Sequence, residues 1–160
     1  MEPSARQIPA RATLLLGALT ALLAACSLFP GASVSPNDAA VRALAAHQAT
    51  WQAKNVDDYT LTVQRQCFCP FTEPVVVTVM DGVVTGATVD GQPAKPQDVQ
   101  GIPKTVPELF AVVTANADAA KMTVEWNEAF GFPTSIQVDS IENAVDDEFG
   151  ISVTDFRPAS

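Results

Sequence analysis

Residues 57–89 do most to limit what this chain can fold into. From Asp57 to Cys67 apolar and polar side chains alternate. Tyr59, Leu61, Val63 and Cys67 fall on one face, and Thr60, Thr62, Gln64 and Gln66 on the other. A period of two describes a strand with one face buried, the usual habit of an antiparallel sheet. Val75 to Met80 is β-branched and apolar, and Val83 to Val89 returns after Asp81-Gly82. A two-residue hairpin needs positive φ at both positions, and Asp-Gly supplies them.

The same grammar continues downstream. Thr105-Val106-Pro107-Glu108 reads as a capping box with Pro in the first turn, and Val106, Leu109, Phe110, Val113 and Ala117 predict a helix over about 106–119. Met122, Val124 and Trp126 then alternate with polar residues, as do Thr134, Ile136 and Val138. Phe149, Ile151 and Val153 mark a last strand. Upstream, Ser35-Pro36-Asn37-Asp38 resembles a helix start. Val41, Leu44, Gln48 and Trp51 share one face of a helix predicted over about 36–54. The expected fold class is therefore α+β. Two helix-strand-strand-strand units, a pseudo-repeat over 36–89 and 105–156, form an antiparallel sheet with both helices packed on one face. This layering is similar to small envelope folds of the β-lactamase-inhibitor-protein and PepSY types. Between the units, Asp90 to Lys104 carries three prolines and two glycines and no periodicity. It is read as a long loop, either a connector or a functional one.

The N-terminal end says where such a domain would sit. Arg6 and Arg11 precede an apolar run from Ala12 to Leu23, about half the roughly 20 residues that a membrane-spanning helix needs. Leu23-Ala24-Ala25-Cys26 closes it, and this is similar to the lipobox of bacterial lipoproteins. The resemblance implies a leader over 1–25, cleavage before Cys26, a lipid on Cys26 and a tether over 26–35. A single domain over 36–158 follows. Two or more acyl chains give stable anchoring. Asp does not follow Cys26, so the expected place is the outer membrane facing the periplasm in a cell with two membranes. Otherwise it is the outer face of the cytoplasmic membrane.

Cleavage would leave 135 of the 160 residues, enough for one domain. With Glu2, Arg6 and Arg11 removed from the 18 acidic and 9 basic side chains, 17 and 7 remain, a formal charge of −10. Such a surface repels nucleic acid and anionic headgroups, so membrane contact is expected through the lipid on Cys26. A monomer is expected.

Few residues suggest chemistry. Cys67 and Cys69 are an even pair in an oxidising compartment, and an intramolecular disulfide is expected. Extended Cα atoms two residues apart lie about 6.5–7 Å from each other, so the bridge needs a kink at Phe68. Thiol-redox chemistry is the sharper alternative, although Cys-x-Cys lacks the thioredoxin spacing. Two thiols and the single His47 fall short of a zinc site. His47 is expected to be solvated or packed. Asp139, Glu142, Asp146, Asp147 and Glu148 crowd one segment and are candidates for calcium, for a solvated face or for recognition of a basic partner. Arg65 falls on the inward side of its strand by alternation and is expected either to snorkel to water or to pair with an acidic residue such as Asp155. No catalytic motif, phosphate loop or dinucleotide fingerprint occurs, and no cofactor is implied.

Arg65-Gln66-Cys67-Phe68-Cys69-Pro70, Asp81-Gly82, Gly131-Phe132-Pro133-Thr134-Ser135-Ile136 and Asp146-Asp147-Glu148 together resemble a bacterial lipoprotein family. It is defined only as a domain of unknown function, number six-one-seven-four. The resemblance spans about Asp38 to Pro158 and implies an envelope lipoprotein without supplying a reaction. The expected function is a non-enzymatic, lipid-anchored module that binds an envelope protein or a small ligand. The alternatives are a redox protein using Cys67 and Cys69, and an inhibitor of an envelope hydrolase.

Overall fold

The alternating segments all enter one sheet. A computed structural model describes residues 37–159, and the expected leader, lipidation site Cys26 and tether, with the Ser35 and Pro36 of the expected cap, lie outside them. In chain order the elements are α1 (Asp38–Lys54), β1 (Tyr59–Cys67), β2 (Val75–Met80), β3 (Val83–Val89) and β4 (Gln92–Pro93). Then come α2 (Val106–Ala115), β5 (Lys121–Trp126), β6 (Pro133–Asp139) and β7 (Phe149–Pro158). Seven strands lie in the order β4-β3-β2-β1-β7-β6-β5, with every pair antiparallel. The fold is broadly α+β and mostly sheet. The first three strands run outward from the middle. The last three enter at the far edge and run inward, so β1 and β7 meet, with Tyr59 opposite Pro158 and Cys67 opposite Phe149.

One face of the sheet carries the core. Leu61, Val63, Val75, Val77, Val79 and Ile136 are fully buried there. Each such side chain contributes about 1.5–3 kcal/mol by leaving water. Helix α1 sets Leu44 and Trp51 against this face, and α2 adds Val106, Leu109, Phe110 and Val113. Trp51 meets Tyr59, Phe132 and Phe156 edge-on. The Tyr59 hydroxyl accepts from the Val106 N–H at 3.1 Å, which ties the start of α2 to β1. The opposite face carries Thr, Gln and Ser and is partly open to solvent.

The turns follow their residues. Asp81 and Gly82 have φ of 50° and 72°, as the β2–β3 hairpin requires. Asp90 and Gly91 repeat the geometry at 49° and 73°, so the expected long loop begins as a second hairpin. Beyond it the chain folds back and buries Ile102, 2% exposed, and Pro103. Between β5 and β6 the Asn127 side chain accepts from the Ala129 and Phe130 N–H groups. Gly131 follows at φ 83°, where a Cβ would lie 2.5 Å from the His47 carbonyl oxygen and 2.8 Å from the Thr50 Cβ. Only glycine lets this turn lie on α1, and Phe132 beside it is 1% exposed.

Four expectations are corrected. Val41 is 38% exposed, because α1 faces the core with Leu44 and Trp51 and its first turn lies at the rim. Helix α2 stops at Ala115 rather than 119, where the Asn116 side chain donates to the Val112 carbonyl at 2.8 Å and closes the last turn. At the start of α1 the N-cap is Asn37, and its side chain reaches across the domain. It donates to the carbonyls of Ala117 and Ala119 at 3.0 and 2.8 Å and accepts from the Met122 N–H at 2.7 Å. Finally, Asp155 is not on the inward side. The β1–β7 register shifts between Thr60 and Thr62, and Asp155 sits in the bulge at φ 50°. The extra residue reverses the parity. Asp155 turns to solvent, and Phe156 takes the core position against Trp51, Tyr59, Phe130 and Phe132.

Candidate functional site

Strand β1 outruns its neighbour. Its pairing with β2 ends at Val63 opposite Val75, while its pairing with β7 continues to Cys67. The segment 64–67 therefore has an open side, and the chain from Phe68 to Pro74 loops over it. The Gln64 side chain donates to the Thr72 carbonyl at 3.1 Å and holds this loop in place.

The loop starts with a sharp reversal. The Cys69 N–H bonds the Cys67 carbonyl at 2.9 Å, a three-residue turn centred on Phe68. This is the kink that the spacing requires, and it brings the two Cα atoms to 5.2 Å with the sulfurs at bonding distance. Phe68 at the apex is 86% exposed. Facing the turn is the returning segment 97–102. Between them lies an open groove of ≈ 380 Å³, with Arg65, Cys69 and Phe71 on one wall and Gln97, Gly101 and Ile102 on the other. That volume is at the small end of the roughly 300–1,000 Å³ usual for ligand pockets.

Arg65 supplies the charge. Its guanidinium carbon stands 5.9 Å from the centre of the Phe149 ring. A Cβ at Gly101 would come within 3.1 Å of a guanidinium nitrogen, so the absence of a side chain there lets the two segments close. The expected Arg65–Asp155 pair does not form, for the bulge has removed Asp155. Among the described residues the one ion pair is Arg42–Asp38 at 3.8 Å, so no carboxylate lies within 4 Å of Arg65. Asp98, also on the groove wall, accepts from the Lys95 N–H at 3.4 Å.

The other candidates lie elsewhere. His47 stacks on Trp126, centroids 4.2 Å apart and planes 4° from parallel, and Trp126 in turn stacks on Phe110. Burial pushes the Tyr59 phenol above its ordinary pKa, with smaller contributions from the Glu108 and Asp57 charges and an opposing one from the Val106 N–H. The calcium candidates are not drawn together. Among the described residues no three His, Cys, Asp or Glu side chains converge as a metal site would need. Asp147 turns onto its own loop, accepting from the Ile141 N–H at 2.6 Å, and Asp139 lies on β6 opposite Lys121. Asp139 and Glu142 border one open groove, while Asp147 is held on its own loop.

Sequence reasoning found the cysteine pair and Arg65 separately and missed that they border one groove. The available signal was an arginine on the inward parity at a strand end, followed by a glycine-containing return segment. No curated protein and no solved structure matches the chain. The model of a family of unknown function, DUF6174, matches residues 43–158, which takes in both walls of the groove, the Gly131 turn and the β7 bulge, and the chain belongs to that family.

Proposed function

We propose that this chain is a lipid-anchored lipoprotein of the bacterial envelope, a non-enzymatic module that binds its ligand in the groove beside Cys67 and Cys69. On this reading residues 1–25 are removed, Cys26 carries the lipid, and residues 26–35 hold the domain off the membrane. The domain spans 36–158, with 36–89 and 105–156 as two helix-strand-strand-strand units, and Cys67 and Cys69 are joined as a disulfide. The observation that carries the binding reading is a guanidinium with no carboxylate partner among the described residues, in a groove bordered by a tight cysteine turn. Proteins place binding groups on loops held by a rigid scaffold, and the long β1–β7 pairing is such a scaffold.

The test uses the full chain expressed in a bacterium. Peptide masses from the membrane fraction should show an acylated N-terminus at Cys26, and Cys26→Ala should abolish it. An intact Met1 on a soluble product would retire the anchor. A photoreactive residue in place of Phe68 should give a reproducible adduct that the same residue in place of Val145 does not. Equal adducts, or none from either, would retire the binding reading.

A second reading, thiol-redox chemistry at Cys67 and Cys69, draws on the tight turn that pairs the two residues and on the exposure of Phe68 at its apex. A bridge that survives millimolar glutathione would remove it. Inhibition of an envelope hydrolase rests on the layering of two helices against one sheet face.

A further inference from the structure

We infer that the groove takes a small organic carboxylate, with the anion on Arg65 and its apolar part against Pro70 and Phe71. This deepens the groove-binding reading and rests on it. A guanidinium presents five donors in a flat fork, matched to the two oxygens of a carboxylate. Here the guanidinium carbon stands 5.9 Å from the centre of the Phe149 ring, and a Cβ on Gly101 would come within 3.1 Å of one nitrogen, so the bare glycine leaves room for the group at the groove wall. Among the described residues it has no protein hydrogen-bond acceptor and no carboxylate within 4 Å. This guanidinium is half-buried at the wall of the groove, where an entering anion meets donors that no described side chain engages.

The charge of the ligand follows from its surroundings. The mature chain has a formal charge of −10, and Asp98 shares the groove wall. One cation in that field suits a monoanion with a flat two-oxygen head better than a dianion such as phosphate. The neighbouring Gln97 and Gln100 amides can bond polar groups next to the carboxylate, and Pro70 and Phe71 offer it an apolar surface.

The experiment is an NMR titration of the full, lipid-bearing chain in detergent micelles, following the Gly101 and Cys69 amides. The probes are N-acetylphenylalanine, its C-terminal amide and inorganic phosphate. The acid should move both amides saturably, and the amide should bind at least about tenfold more weakly, the loss expected for one charge-assisted bond. Arg65→Gln should abolish the response and Arg65→Lys should retain part of it. Equal binding of acid and amide would overturn the carboxylate assignment and leave the groove reading standing. So would tighter binding of phosphate, or undiminished binding to a well-dispersed Arg65→Gln. No movement of the groove amides with any probe would overturn both.

Discussion

Replacing Gly131 by alanine puts a Cβ 2.5 Å from the His47 carbonyl oxygen and 2.8 Å from the Thr50 Cβ. Both neighbours belong to α1, and the first is backbone, so neither yields by a change of rotamer. The φ of 83° adds a left-handed penalty of about 1–2 kcal/mol for any residue with a Cβ. Forcing the turn off the helix adds a further 1–3 kcal/mol or so, the usual range for overpacking. The total, about 2–5 kcal/mol, is a large part of the roughly 5–15 kcal/mol that holds a domain together. For a domain of this size it lowers Tm by about 8–20 °C. Gly82→Ala is the control. Its φ is 72°, yet nothing lies within 4 Å of the added carbon, so it pays only the backbone strain, about 4–8 °C. The assay is thermal unfolding of the full chain in detergent followed by near-ultraviolet circular dichroism. That signal reports Trp51, which packs on Phe132, and Trp126, which stacks on His47. If Gly131→Ala melts no lower than Gly82→Ala, close approach is not why glycine stands at 131.

Three further outcomes are expected. Tyr59→Phe leaves the buried Val106 N–H without its acceptor and should cost about 1–3 kcal/mol in urea unfolding at pH 8. Because the folded phenol titrates above its ordinary value of 10.0, the folded chain keeps a proton that the unfolded chain releases. Its share of stability is whole below that value and is lost as the pH climbs past it. Between pH 8 and pH 11 the native chain should therefore lose more stability than Tyr59→Phe, and equal losses would contradict the burial argument. Asn37→Ala strands two carbonyls and the Met122 N–H and should cost about 3–5 kcal/mol. A loss under 1 kcal/mol or so would show that water replaces the side chain easily. Changing Cys67 and Cys69 together to alanine should cost no more than about 2 kcal/mol, since so short a loop gains little chain entropy from a bridge. Collapse of the amide dispersion in that double variant would mean that the turn organises the sheet.

What could be read from the residues was whatever depends on a local period. Tyr59, Leu61 and Val63 alternate and are buried, Asp81-Gly82 turns where two positive φ angles are needed, and Thr105 accepts from the Glu108 N–H at 3.2 Å as its capping pattern implies. The misses have one physical origin, interactions between distant segments. The bulge at Asp155 is a feature of the β1–β7 pairing and leaves no mark in the last strand, where parity continued through Val153 pointed to the wrong side. The duty of Asn37 lies across the domain at Ala117, Ala119 and Met122, so a local reading saw only a helix start. The Asp90-Gly91 hairpin could have been found, because it repeats the Asp-Gly signal used at 81–82. The neighbouring prolines hid it. The groove needed the sheet order itself, since only the early end of β2 leaves the far end of β1 open to segment 97–102.

The strand order also governs when the molecule can become itself. With β1 wedged between β2 and β7, the middle of the sheet stays unmade until residues 149–158 are available. Three early strands and a helix can gather before that, but Thr62 and Val63 lack their neighbours Thr154 and Val153, and Trp51 lacks Phe156. Pairings so far apart along the chain close slowly. A polypeptide assembled this way has no finished sheet until its final segment arrives. That delay would suit a protein that must pass through a narrow translocation channel as an open chain and fold on the other side.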